Sequence, residues 1–220
     1  MPTTPQPSVS RRQLLATALA SLALPAAPAL ARAGRAWVVT ILGDSITAGL
    51  GLPAAQALPA RLEAALTRVG APARVRGAGV SGDTTAGGLA RVGFSVQGDT
   101  DVCVVALGGN DLLQGLDPAV TKANLTAIVR RLKARRIGVV LAGMTAPAAI
   151  GAGYARDFSA VFAAVARREG VAFYPNLLAG VGQNPRLNQR DGIHPNAAGV
   201  NIIAAALAPV VARALRAHGG

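Results

Sequence analysis

The chain has 220 residues, of which 51% are hydrophobic but only 3% aromatic, with 22 Lys and Arg against 10 Asp and Glu, two histidines and one cysteine. That size and apolar content suit one globular domain with a real core, and one cysteine with two histidines exclude an internal disulfide framework and a dedicated zinc site. The net charge of +12 invites a nucleic-acid reading, but the basic residues are scattered and the few aromatics form no stacking platform, so nucleic acid is not expected as a partner, while an anionic lipid surface stays open.

The first 33 residues read as an export signal. Ser10-Arg11-Arg12-Gln13-Leu14-Leu15 resembles a twin-arginine motif, the apolar stretch Leu14 to Leu24 is far shorter than the roughly 20 residues that span a bilayer, and Ala31-Arg32-Ala33 offers a small-x-small cleavage site, with a cut after Ala31 as the alternative. The expected division is therefore a signal over 1–33 and one domain over 34–220, periplasmic or secreted. Arg11, Arg12 and Arg32 account for three of the +12 charges, which leaves about +9 for the remainder.

From Trp37 onward, short β-rich runs alternate with helical spacing. Strands are expected at Trp37 to Leu42, Ala73 to Gly77, Val102 to Leu107, Gly138 to Gly143 and Val171 to Tyr174. Leu58, Leu62, Leu66 and Val69 mark a helix between the first two, Leu125, Ile128, Val129 and Leu132 another, and Tyr154, Phe158, Val161, Phe162 and Val165 a third. Asp117-Pro118 supplies an N-cap and first-turn proline, and the cluster Arg130, Arg131, Lys133, Arg135 and Arg136 suits the C-terminal pole of that helix. A last helix from about Asn196 to Leu215 contains Pro209, which predicts a kink or break. Cys103 falls within an apolar run and reads as core. Strands alternating with helices predict one three-layer α/β/α unit, a flavodoxin-like parallel five-stranded sheet whose ligands bind at the carboxyl ends of the strands.

Three stretches sit where that rule wants them: Gly43-Asp44-Ser45-Ile46-Thr47, Gly108-Gly109-Asn110-Asp111 and Asp191-Gly192-Ile193-His194-Pro195. Ser45 supplies a hydroxyl nucleophile. His194 is the candidate base, since the other histidine, His218, is two residues from the end, and Asp191 is close enough in sequence to orient the imidazole. Gly77-Ala78-Gly79-Val80-Ser81-Gly82 satisfies G-x-G-x-x-G, but it lies in the second βα turn and Asp83-Thr84-Thr85 makes a poor continuation, so no nucleotide cofactor is expected, and no metal.

The texts ILGDSITAGLG, VSGDTTAGGLAR, LGGNDLLQG and DGIHPN together resemble the four blocks of the SGNH (GDSL-type) hydrolases, within them the bacterial periplasmic acyl-CoA thioesterase/lysophospholipase/arylesterase subfamily. The similarity runs from Trp37 to about Ala212. It implies the SGNH hydrolase fold, a serine esterase or thioesterase acting on small acyl substrates without a cofactor, a triad of Ser45, Asp191 and His194, a serine that opens a helix, and an oxyanion hole from the backbone N–H of Ser45, that of Gly82 and the side-chain amide of Asn110. Asp44 and Asp111 are expected to hold loops, with a lesser role in binding substrate. The segment Met144 to Tyr154 departs from the subfamily: it is a small-residue run here, and in relatives it borders the acyl groove, so Met144, Ala149 and Ile150 are candidate groove residues and short to medium acyl chains are expected. The same blocks serve carbohydrate O-deacetylases, the alternative enzyme, and a catalytically silent binding protein is the reading from another class. Oligomeric state is not legible.

Overall fold

A computed structural model describes residues 1–3 and 35–219, and from Ala36 onward the chain folds as one compact unit. The export signal expected over 1–33 lies, from residue 4 onward, outside the described residues. Five parallel strands, β1 (Trp37–Gly43), β2 (Ala73–Gly79), β3 (Val102–Ala106), β4 (Gly138–Ala142) and β5 (Ala172–Tyr174), pair in the order β2-β1-β3-β4-β5. β1 and β3, with every residue from Val38 and Val102 onward buried, are continuous apolar runs because both sheet faces are covered. The register Val39↔Val102 through Gly43↔Ala106 carries the ends of these two strands out together.

The helices are α1 (Ser45–Ala48), α2 (Leu58–Arg68), α3 (Thr85–Ser95), α4 (Gly109–Leu113), α5 (Pro118–Ala134), α6 (Ala152–Glu169) and α7 (Ala197–Gly219). α2 and α7 pack together on one face of the sheet, and α5 packs between α3 and α6 on the other. Leu58, Leu62 and Leu66 of α2, Leu125, Ile128, Val129 and Leu132 of α5, and Phe158 and Phe162 of α6 are buried, as their spacing predicts. Tyr154, Phe158 and Phe162 run down α6 in ring contact, with centroids 5.9 Å and 5.6 Å apart. Asp117 caps α5 by accepting from Ala119 N at 2.8 Å. The arginine-rich end of α5 is used internally: Arg130 pairs with Glu169 at 2.9 Å, Lys133 donates to Glu169 O, Arg131 to Leu89 O and Arg135 to Val96 O. Those cations tie α5 to α3 and α6. Cys103 is fully buried, and burial pushes its thiol up to about 12.

The expected break at Pro209 does not occur. α7 is continuous from Ala197 to Gly219, because Leu207, Ala208, Val211, Ala212 and Leu215 bury a stripe on both sides of the proline, while Pro209 and Ala205, whose carbonyl loses its partner, face solvent. α7 is long and apolar enough to cross a membrane, but half of it is buried against α2 and the sheet, which makes it a core helix.

Both sheet edges are short or covered. β5 has three residues, and Glu63 of α2 turns its carboxylate back onto the outer strand to accept from Val75 N at 2.7 Å.

Candidate active site

With strand order 2-1-3-4-5, the connections leave β1 and β3 in opposite directions, and a crevice opens between their carboxyl ends. Ser45 follows β1, Gly82 follows β2 and Asn110 follows β3, and all three line one cleft of about 490 Å³. His194 reaches the same cleft on the connection between β5 and α7.

Ser45 is the first residue of α1. Asp44 caps that single turn, its Oδ1 accepting from Ile46 N at 3.0 Å. Ser45 Oγ lies 2.8 Å from His194 Nε2, and His194 Nδ1 lies 2.6 Å from Asp191 Oδ2. Asp191 Oδ1 also accepts from Ile193 N at 2.9 Å and His194 N at 3.0 Å. The His194 backbone N–H first, then the imidazole and the Ile193 N–H, hold the Asp191 carboxyl down at about 2. An ionised Asp191 can only accept, so Nδ1 donates to it and Nε2 is left to accept from the Ser45 hydroxyl. Such a chain is able to move a hydroxyl proton onto an imidazole.

Gln189 joins the two sides of this chain. Its Nε2 donates to Leu50 O at 2.8 Å and Pro195 O at 3.1 Å, and its backbone N–H donates to His194 O at 2.8 Å. The loop after α1 and the loop carrying His194 are therefore clamped by one amide.

On the far side, Gly82 sits at φ 83°, a conformation that strains any residue with a Cβ. Asn110 Nδ2 donates to Asp83 O at 2.8 Å, which uses one of its two amide hydrogens and fixes the plane of the side chain. The G-x-G-x-x-G stretch is explained by packing: a Cβ on Gly79 would come within 2.3 Å of Ala48 N and 2.7 Å of Asp44 O, so its absence lets β2 approach α1.

Asp44 and Asp111 differ. Asp44 lines the cleft, and burial pushes its carboxyl up to about 6, partly offset by the Ile46 N–H. Asp111 has no exposed surface and does not line the cleft. Its carboxylate accepts from Thr85 N at 2.8 Å, from the Thr85 hydroxyl and from Thr121 Oγ1 at 3.2 Å. A substrate contact for Asp111 is corrected accordingly: it braces α3 and α5 from beneath Asn110.

The expected groove residues divide the same way. Met144 lines the cleft with Thr145, Ala146 and Pro147, whereas Ala149 and Ile150 are exposed and lie outside it. The chain turns away at the 3-10 turn Ala148–Ile150, and Tyr154 Oη donating to Leu116 O at 2.8 Å holds the start of α6. The apolar wall instead comes from Leu50, Leu112, Leu113, Leu178 and Ile193, which the sequence reading did not select. A signal existed: Leu50, Leu112-Leu113 and Ile193 follow or fall within the three chemical stretches, and Leu50, Leu113 and Ile193 remain 46–63% exposed. No Phe, Tyr or Trp is among the lining residues.

Comparison with known proteins places the chain in a family. The profile of the GDSL-like Lipase/Acylhydrolase family matches residues 41–202. The chain is 40% identical to "Esterase TesA" of Pseudomonas aeruginosa over 167 residues, covering 76% of this chain and 83% of that protein, and 36% identical to "Thioesterase 1/protease 1/lysophospholipase L1" of Escherichia coli K12, covering 75% and 78%. Among solved structures, the SGNH-hydrolase family esterase AlinE4 superposes with a TM-score of 0.69 at 42% identity, covering 82% of this chain and 97% of that one.

Proposed function

We propose, from the premise that this chain belongs to the GDSL-like lipase/acylhydrolase family and is an ester-bond hydrolase of the esterase/thioesterase kind, that Ser45 is its nucleophile, His194 its general base and Asp191 the carboxylate that orients the base. The observation that carries this reading is the 2.8 Å bond between Ser45 Oγ and His194 Nε2, made across 149 residues of chain and continued to Asp191. As Ser45 Oγ attacks the acyl carbonyl, its proton passes to Nε2, and the ionised Asp191 stabilises the imidazolium. The oxyanion is received by the N–H groups of Ser45 and Gly82 and by the second amide hydrogen of Asn110. Collapse expels the alcohol or thiol, which takes the proton from Nε2. Water, activated by the same imidazole, then releases the acyl group from Ser45.

An open, largely aliphatic cleft with small residues at 145–147 supports acyl chains of short to medium length, roughly C2 to C10. A wall without Phe, Tyr or Trp weighs against a sugar-ester substrate. Labelling with a fluorophosphonate followed by peptide mass mapping tests the nucleophile: stoichiometric adduct on Ser45 is expected, together with a kcat loss of roughly three orders of magnitude or more in Ser45→Ala with the fold intact. Near-wild-type turnover in that variant would discard the assignment.

Residues 1–33 act in this reading as a twin-arginine signal delivering the 34–220 domain to the periplasm or beyond. Converting Arg11 and Arg12 together to Lys should leave precursor in the cytoplasm; processed, active periplasmic enzyme from that variant would point to the general secretory route.

A further inference from the structure

The anion-binding donors of the proposed site come from loops after three different strands, and an oxyanion site works only if such donors are held within a few tenths of an ångström of one another. One side chain ties the first two together directly and reaches the third through Asp83. Arg91 projects from α3 with its guanidinium buried: Nε donates to Asp83 Oδ2 at 2.6 Å, Nη1 to Ala78 O at 2.9 Å and Ser95 Oγ at 3.2 Å, and Nη2 to Gly43 O at 2.8 Å. Gly43 is two residues before Ser45, and Asp83 follows Gly82 directly. Asp83 is held at both ends, since its carboxylate takes Arg91 and its backbone carbonyl takes Asn110 Nδ2 at 2.8 Å. Val80 N adds a further tie by donating to Gly43 O at 3.1 Å. Arg91 itself does not line the cleft.

We propose, on the reading of the site given above, that Arg91 is a positioning residue: its planar fork sets the spacing between the Ser45 N–H, the Gly82 N–H and the Asn110 amide without touching substrate. The choice of residue fits the task. A guanidinium directs donors to several carbonyls at fixed angles, whereas an ammonium in the same place holds the charge pair with Asp83 and loses the geometry. A buried ion pair contributes little net stability by comparison with apolar packing, so pairing alone does not account for a fork spent on Gly43, Ala78 and Asp83 together.

The test is a double-variant cycle with Arg91→Lys, Asn110→Ala and their combination, reading kcat and KM on p-nitrophenyl acetate, with folding followed by circular dichroism. Arg91→Lys is expected to lower kcat about ten- to a hundredfold with KM nearly unchanged. In the Asn110→Ala background the same replacement should cost at least threefold less, because one of the donors it aims is already gone. A penalty of the same size in both backgrounds, or an effect confined to thermal stability, overturns the proposal. If Arg91→Lys fails to fold, Asp83→Asn takes its place: it keeps the arginine and releases one arm, and a several-fold kcat loss that shrinks beside Asn110→Ala is expected, an unchanged kcat overturning the proposal. Ser45→Ala separates the two readings, since it reports which atom attacks whatever the cycle reports about the donors.

Discussion

The two walls of the cleft are built on different principles. The wall after β1, β2 and β3 is stitched by buried charges, with Arg91 joining Gly43, Ala78 and Asp83, and Asp111 joining Thr85 and Thr121. The opposite wall, from residues 144–147 and 176–193, closes through backbone bonds such as Leu177 N to Gly143 O at 2.8 Å and Val181 N to Leu178 O at 2.9 Å and through uncharged amides such as Asn188 Nδ2 to Val181 O at 2.8 Å, and it turns Ile193 and Gln183 toward solvent. His194 on that side has its own clamp in Gln189. A site that must stabilise one charge distribution is served by fixed donors, whereas a wall that receives apolar chains needs only area, which several side chains supply interchangeably. On the proposed reading the fixed wall carries the oxyanion donors, and the looser wall adds Leu178 and Ile193 to the apolar area that receives the acyl group.

Perturbing each wall in turn should give different signatures. The largest effect belongs to the fixed wall: Asn110→Ala should lower kcat by about 10²–10³ with a smaller effect on KM, because its amide meets charge that appears only in the transition state. Steady-state kinetics on one ester decides it, and a change confined to KM would move Asn110 to the substrate-binding side of the comparison.

Asp44, in the same wall, predicts a pH signature in stability. Its folded carboxyl titrates near 6, above the ordinary value, so between about pH 4 and 6 the folded protein holds a proton that the unfolded chain has lost, and stability from this group falls as pH rises through that window. Asp44→Asn retains the cap and removes the buried charge. It should gain on the order of 1–2 kcal/mol, or about 3–6 °C in Tm, at pH 8 and nothing at pH 4, measured by thermal denaturation at both values. An equal shift at both pH values would make the effect one of packing.

The smallest effect falls on the looser wall. Leu178→Trp should depress turnover of p-nitrophenyl decanoate about three- to tenfold more than that of the acetate, while Ile150→Trp should change neither, since Leu178 lines the cleft and Ile150 does not. Equal losses for both esters at Leu178 would mean that this wall only supports the fold.

Element types were legible because both periodicities are local. The strand expectations agree with the structure to within two residues at every strand end, and the spacing of Leu125, Ile128, Val129 and Leu132 alone predicts the buried face of α5. No break occurs at Pro209 because proline's cost is set by its surroundings: with its face of α7 in water, the orphaned carbonyl is solvated and the buried stripe carries the helix through. Ala149 and Ile150 misled for a related reason, since a run of small residues states how much room a segment leaves but not which way the chain turns after Pro147.

The sequence by itself determined the class of fold, the family and the residue types available for ester chemistry, because strand and helix patterns and short motif blocks are written in neighbouring residues. Only the tertiary structure decided that Ser45, His194 and Asp191 form one hydrogen-bonded chain, that Asp44 faces the cleft while Asp111 is buried beneath it, and that Arg91 joins the ends of β1 and β2 to the loop carrying Gly82 and Asp83. Those are distances between segments far apart in the chain, set by the parallel register that carries the ends of β1, β2 and β3 out side by side, and no local pattern encodes them.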